Sequence, residues 1–205
     1  YSGKPDWSSA DQVTLAAGAE NAAGIDFSLV QGGFISGRVL DQDTGLPVQD
    51  ASAGSIDLSV GWHKLVYRFE EREGASEARA AFKAPGDANW RWFSTSQMEI
   101  RTAPDHAAPS GISLVTKKNN SGHPVNHAGL VAVVELLSTP DAGWYGESVV
   151  SAINQNENIH GNDDNYTSRY EGHFYVNTAG TWQFATDSDD ASEIVVDDKV
   201  VAYWY

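Results

Sequence analysis

The sequence predicts an all-β protein of sandwich type, and three observations carry that prediction. Apolar residues recur at every second position in short bursts, Gly, Asn and Asp stand between the bursts, and no stretch sustains a helical period. In chain order, Ile25, Phe27 and Leu29 alternate with polar neighbours, and Phe34 to Val39 follows the Gly32-Gly33 turn. Ile56, Leu58 and Val60 alternate next, then Leu65, Tyr67 and Phe69 beyond Gly61-Trp62-His63. Ala78 to Phe82 and Met98 to Ile100 are shorter strands. Leu130 to Leu137 is a continuous apolar run, expected as a strand buried on both faces, with Glu135 facing solvent at its edge. Phe174 with Val176, Trp182 with Phe184, Ile194 to Val196 and Val200 to Trp204 complete the set. Only Glu147 to Ile153 reads as a turn or two of helix.

Composition narrows the function classes. The chain has 205 residues, with 13 basic against 28 acidic side chains, a net charge of −15 and a pI near 4.5. Nucleic-acid binding needs a surplus of Lys and Arg to replace counterions, so that class is excluded, as is an anionic membrane surface. The longest apolar stretch, Gly129 to Val134, stops at Glu135, far short of a bilayer span. Hydrophobic residues make up 41% of the chain, enough for a core. Cysteine is absent, which removes disulfides, thiol nucleophiles and Cys-ligated zinc. Tyr1 opens on polar sequence without a signal peptide, so the chain reads as a mature or excised piece. Aromatic, Asn, Asp, Gly and Thr content points to an extracellular setting, with a bacterial surface protein as the expected source.

The acid is unevenly spread. Residues 1–50 carry 2 basic and 7 acidic side chains, residues 51–105 carry 7 and 8, and residues 106–205 carry 4 and 13. The stretch Ala103 to Pro124 is rich in Pro, Ser, Asn, Gly and His. The expected organisation is a segment at 1–50, a second at 51–105, a linker or long loop at 106–129, and a third segment at 130–205.

Gly32-Gly33-Phe34-Ile35-Ser36-Gly37-Arg38-Val39 leads through an acidic turn into Thr44-Gly45-Leu46-Pro47-Val48. This resembles the opening of a carboxypeptidase-regulatory-like repeat, a transthyretin-type β-sandwich, and residues 1–30 resemble the tail of one. A second resemblance covers more of the chain. Asn165-Tyr166-Thr167-Ser168-Arg169-Tyr170-Glu171-Gly172, Ala179-Gly180-Thr181-Trp182-Gln183-Phe184 and Ser188-Asp189-Asp190-Ala191 through Val201 are similar to the first half of a PA14 domain. Ala191 stands where the family has Gly. Ser55 to Ile100, with Gly61-Trp62-His63 before a long strand and Gly86-Asp87-Ala88-Asn89-Trp90 after the closing strand, is similar to the second half. The order is reversed. Circular permutation, strand completion by a neighbouring copy or domain, and residues missing near Ala51 to Gly54 each fit that order, the last being favoured. The fold expected is therefore a PA14-like β-sandwich plus a partial transthyretin-like one.

Asp187, Asp189 and Asp190 crowd one loop, and carboxylates so close repel unless a cation sits among them. Calcium suits such a set, because it takes six to eight oxygens in flexible geometry. The PA14 resemblance implies the same: in its sugar-binding branch the adjacent Asp pair, joined by a cis peptide, ligates calcium, which also contacts sugar hydroxyls. That role carries over to Asp189 and Asp190. The facing loop is expected to hold Asp87 and Asn89, with Asn89 offering an oxygen and Trp90 or Trp92 stacking on a sugar. An exposed acidic turn is, however, ordinary on so acidic a protein, and not every PA14 domain binds sugar.

Other motifs carry less. His123 and His127 have the spacing of a helical zinc pair but lie in a Gly/Pro/Asn-rich stretch with no Glu between them. His63 beside Trp62 is expected to pack in the sandwich, and Asp197-Asp198 to form a hairpin turn. Neither a nucleophile elbow nor a phosphate loop occurs, so no enzyme activity is expected. The function expected is an extracellular, calcium-dependent, glycan-binding module of an adhesin. The alternative is a structural subunit of a filament, stalk or sheath, binding copies of itself through shared strands.

Overall fold

The computed structural model describes residues 51–74, 76–135 and 143–205, all within one compact unit, Val39–Tyr205. The strands expected at residues 25–39, and the carboxypeptidase-regulatory-like segment at 1–50, lie outside the described residues.

Twelve strands and one helix follow one another among the described residues: β1 (Ala51–Leu58), β2 (Gly61–Glu71), β3 (Glu77–Lys83), β4 (Arg91–Trp92), β5 (Ile100–Arg101), β6 (Ile112–Lys118), α1 (His127–Glu135), β7 (Trp144–Val150), β8 (Asn154–Gln155), β9 (Tyr166–Val176), β10 (Gly180–Asp189), β11 (Ala191–Val196) and β12 (Lys199–Trp204). They form two antiparallel sheets, an all-β sandwich. One runs β1-β10-β3-β4 with β8 also on β3; the other runs β12-β11-β2-β9-β6-β7 with β5 on β9.

Alternation decides which side chains enter the core. On β2, Leu65, Tyr67 and Phe69 point inward, and β9 answers with Tyr166, Tyr170 and Phe174. Tyr67 lies opposite Tyr170 in the register, their rings edge to face with centroids 5.6 Å apart. From the other sheet come Phe82, Trp182 and Phe184, with Phe174 meeting Phe184 at 5.7 Å. The two stretches whose order is reversed relative to the PA14 pattern close on each other within this one chain. β2 pairs with β9 over its full length, and β11 lies between β2 and β12.

The structure corrects three local expectations. Leu130 to Glu135 belongs to α1, not to a strand. Asn126 caps it, its Oδ1 accepting from the Gly129 N–H at 2.9 Å, and Leu130 and Val134, four residues apart, are the two fully buried positions. Glu135, expected at a strand edge, ion-pairs with Arg68 at 2.6 Å and Arg169 at 3.2 Å. The stretch 106–129, expected as a linker, contains β6, where Ile112, Leu114 and Thr116 supply a buried alternation. Glu147 to Val150 is part of β7, not helix.

Candidate metal centre

The acidic residues gather at one end of the sandwich because several chain segments stop there together. β2 ends at Glu71, β9 begins at Tyr166 opposite it, and β10 hands over to β11 at Asp189-Asp190. The Asp189-Asp190 peptide is cis. Backbone bonds seat this junction. The Asp190 N–H donates to the Glu70 carbonyl at 3.3 Å, the Arg72 N–H donates to Asp190 Oδ2 at 2.9 Å, and the Asn165 N–H donates to the Arg72 carbonyl at 2.6 Å. Beneath it runs a ladder of buried hydroxyls. Thr186 Oγ1 and Ser192 Oγ are 2.5 Å apart, Ser192 and Ser188 2.7 Å, and Ser188 Oγ donates to the Asp190 carbonyl at 2.9 Å. The polar chain fixes the pair from below.

Two glutamates at the end of β2 complete the cluster, and they are treated differently. Glu70 is fully buried yet satisfied: Oε1 accepts from Asn119 Nδ2 at 2.8 Å, and Oε2 lies 3.0 Å from His123 Nδ1. Burial raises its carboxyl, and His123 offsets part of that rise. Glu71 is also fully buried, but neither of its oxygens has a hydrogen-bond partner among the described residues. Burial, then the charges of Asp190, Asp189, Glu70 and Asp164, push it up to about 9. Glu70, His123 and Asp190 each present a ligand atom, all within 4.8 Å of one another.

An orphaned buried carboxylate among four other acids is the situation a hard divalent cation relieves, since it neutralises several oxygens at once. Among the described residues the ligand atoms that converge are those of Glu70, His123 and Asp190, a mixed set of carboxylate oxygen and imidazole nitrogen, with the carboxyls of Asp189 and Glu71 nearby.

Asp187 sits near the pair on β10, buried, with Arg79 Nη1 3.6 Å from its Oδ2. Asp87, Asn89 and Trp90 are not brought to the site. Glu77 of β3 lies opposite Asp189, whereas Lys83, just before their loop, lies opposite Gln183. Six residues of strand separate the two ends, roughly 20 Å. Asp87 instead caps its own turn, accepting from the Ala84 N–H at 3.0 Å and from Arg91 Nη2 at 2.6 Å. Trp90 packs on Ala81 and Ala185. His123 and His127 do not converge either; His127 Nδ1 is 2.8 Å from Glu193 Oε2. Asp197 and Asp198 form the β11–β12 turn with φ of 46° and 63°, and His63 is buried on β2.

Glu70 and Glu71 were not singled out from the sequence, and His123 was weighed only as a partner of His127. A signal for Glu71 exists: it continues the inward series Leu65, Tyr67, Phe69, and a carboxylate at the next inward position needs a reason. Fold and site together define an antiparallel β-sandwich with a buried carboxylate cluster at one end. No family model, curated protein or solved structure matches the chain.

Proposed function

We propose that the chain is a calcium-dependent, non-catalytic carbohydrate-binding module of an extracellular, adhesin-type surface protein. The observation that carries the proposal is Glu71, whose two buried oxygens, in the field of Asp189 and Asp190, have no hydrogen-bond partner among the described residues. Asp189, Asp190 and Glu71 would hold the ion, with Glu70 anchored alongside. The resemblance of residues 165–201 to the sugar-binding branch of PA14 domains supports the ligand class. When bound, the calcium supplies open coordination positions for a pair of sugar hydroxyls. This chain's own residues seat the ion: the Arg72 N–H orients Asp190, and the hydroxyl ladder holds the junction. The alternative, a structural subunit of a filament, stalk or sheath, draws on the incomplete sandwich modules read at both ends of the sequence.

The test pairs calorimetric titration of calcium with a glycan array probed in calcium and in excess EDTA. Calcium binding that is lost in Asp190→Asn is expected, together with a set of glycans bound only in calcium. Absence of calcium binding, or an array pattern identical with and without EDTA, sinks the reading.

A further inference from the structure

We propose a second saccharide site, independent of calcium, in the cleft where the edge of β3 is shared between two very short strands. β8 pairs with Ala78 and Arg79, and β4 pairs with Ala81 and Phe82, so both take the same edge of β3 in succession. They meet beside Ala80, whose N–H donates to the Ile153 carbonyl at 3.2 Å and whose carbonyl accepts from the Phe93 N–H at 2.8 Å. Beyond that point the two segments stay paired through the Ser94–Ala152 bridge and the Thr95–Ser151 hydrogen bond, and a cleft of about 310 Å³ lies against the pair. That volume lies at the small end of the ~300–1,000 Å³ usual for small-molecule sites.

The chemistry of the lining selects the ligand. Trp92, Thr95, Ser96, Gln97, Ser151 and Asn154 form it with no charged side chain, on a protein of net charge −15. The nearby guanidinium of Arg79 is already paired with Glu77, and a purely apolar ligand would strand hydroxyls and amides. Gln97 and Ser151 are exposed and Thr95 is half-buried, so the lining presents hydroxyl and amide groups to solvent. Trp92 is 40% exposed, so part of its indole is open to a ligand. A neutral pyranose combines a C–H face that stacks on an aromatic ring with a rim of hydroxyls that both donate and accept.

The cleft is also built in advance of any ligand. Its two walls are joined by the Thr95 N–H donating to the Ser151 carbonyl at 2.8 Å and the Ile153 N–H donating to the Phe93 carbonyl at 3.1 Å. Arg79 backs the indole, its guanidinium carbon 5.8 Å from the ring centroid. The arginine is itself tied down, Nε donating to Asn154 Oδ1 at 3.0 Å and Nη2 to Asn156 Oδ1 at 3.1 Å. A fixed tryptophan and fixed walls reduce the ordering cost of binding.

The experiment titrates the whole chain, in excess EDTA, with four neutral tetrasaccharides: the cello-, malto-, xylo- and N-acetylchito-series. Tryptophan fluorescence and calorimetry provide the readouts. At least one is expected to bind; Trp92→Ala should weaken it about ten-fold or more, and Ser151→Trp, which fills the cleft, should abolish it. Asp190→Asn should leave it unchanged. The proposal is overturned if none of the four binds in EDTA, if binding is indifferent to both cleft variants, or if it needs calcium and disappears in Asp190→Asn. That last result would uphold the calcium-dependent site alone.

Discussion

The main-chain N–H of Asp190 donates to the carbonyl of Glu70 at 3.3 Å, fastening the acidic pair to the end of β2. Through that one contact, a turn between β10 and β11 meets two glutamates more than a hundred residues earlier in the chain. Glu70 is then held by Asn119 and His123, while Glu71 has no hydrogen-bond partner among the described residues.

Glu71 makes the metal-free protein sensitive to pH. Its carboxyl lies at about 9 in the folded state against 4.5 unperturbed. Between those values the unfolded chain has released a proton that the native state keeps, so stability falls as pH rises through the window. Urea denaturation in EDTA should show that decline from about pH 5 to pH 9. Calcium should flatten it. Calorimetry near pH 7.5 in buffers of different ionisation enthalpy should show about one proton released per ion bound. Glu71→Gln should weaken calcium binding and remove the proton release.

Arg68 is the cation of the opposite-facing network on the seven-stranded sheet. Its Nη1 is 2.6 Å from Oε1 of Glu193, which is fully buried, and its Nε is 2.6 Å from Glu135. Arg68→Ala should destabilise the fold by about 3 kcal/mol, because it leaves a buried carboxylate without its main countercharge. Glu193→Gln in the same background should recover part of the loss in urea denaturation.

Gly54 marks the closest approach of β1 to β12. A Cβ at this position would stand 1.8 Å from the Val201 carbonyl oxygen, a backbone atom that cannot swing aside. Gly54→Ala should therefore cost about 1–3 kcal/mol, as overpacking does. Thermal denaturation would register it, and an unchanged midpoint would contradict this seating of the two strands.

Asp198 sits at φ 63° in the β11–β12 turn, after Asp197 at 46°. Both positions need left-handed backbone, where a second-position Gly is preferred. Asp197 must stay, since its carboxylate accepts from the Lys64 N–H at 3.0 Å and lies 2.6 Å from His63 Nδ1. Asp198→Gly should raise stability by about 0.5–1 kcal/mol, and Asp197→Gly should lower it.

Period-two alternation was enough to place the strands around Tyr67, Phe82 and Phe184, because inward and outward positions on a half-buried strand differ in the side chains they accept. It failed at Leu130–Glu135, where an unbroken apolar run suits a buried strand and a short helix equally well. Turn chemistry at Asp197-Asp198 was local and therefore legible. The crowding of Asp189 and Asp190 was legible too, since neighbours in sequence are neighbours in space. Asp87 and Asn89 were not, because strand register alone decides which end of β10 a loop reaches. Sequence by itself determined that this is an acidic all-β chain with a carboxylate-rich turn. Only the tertiary structure decided that Glu70, Glu71 and His123 join that turn, and that Trp92 borders an uncharged cleft. Both depend on antiparallel pairing between segments far apart in the chain, and pairing register is a property of the packed sheets rather than of any one strand.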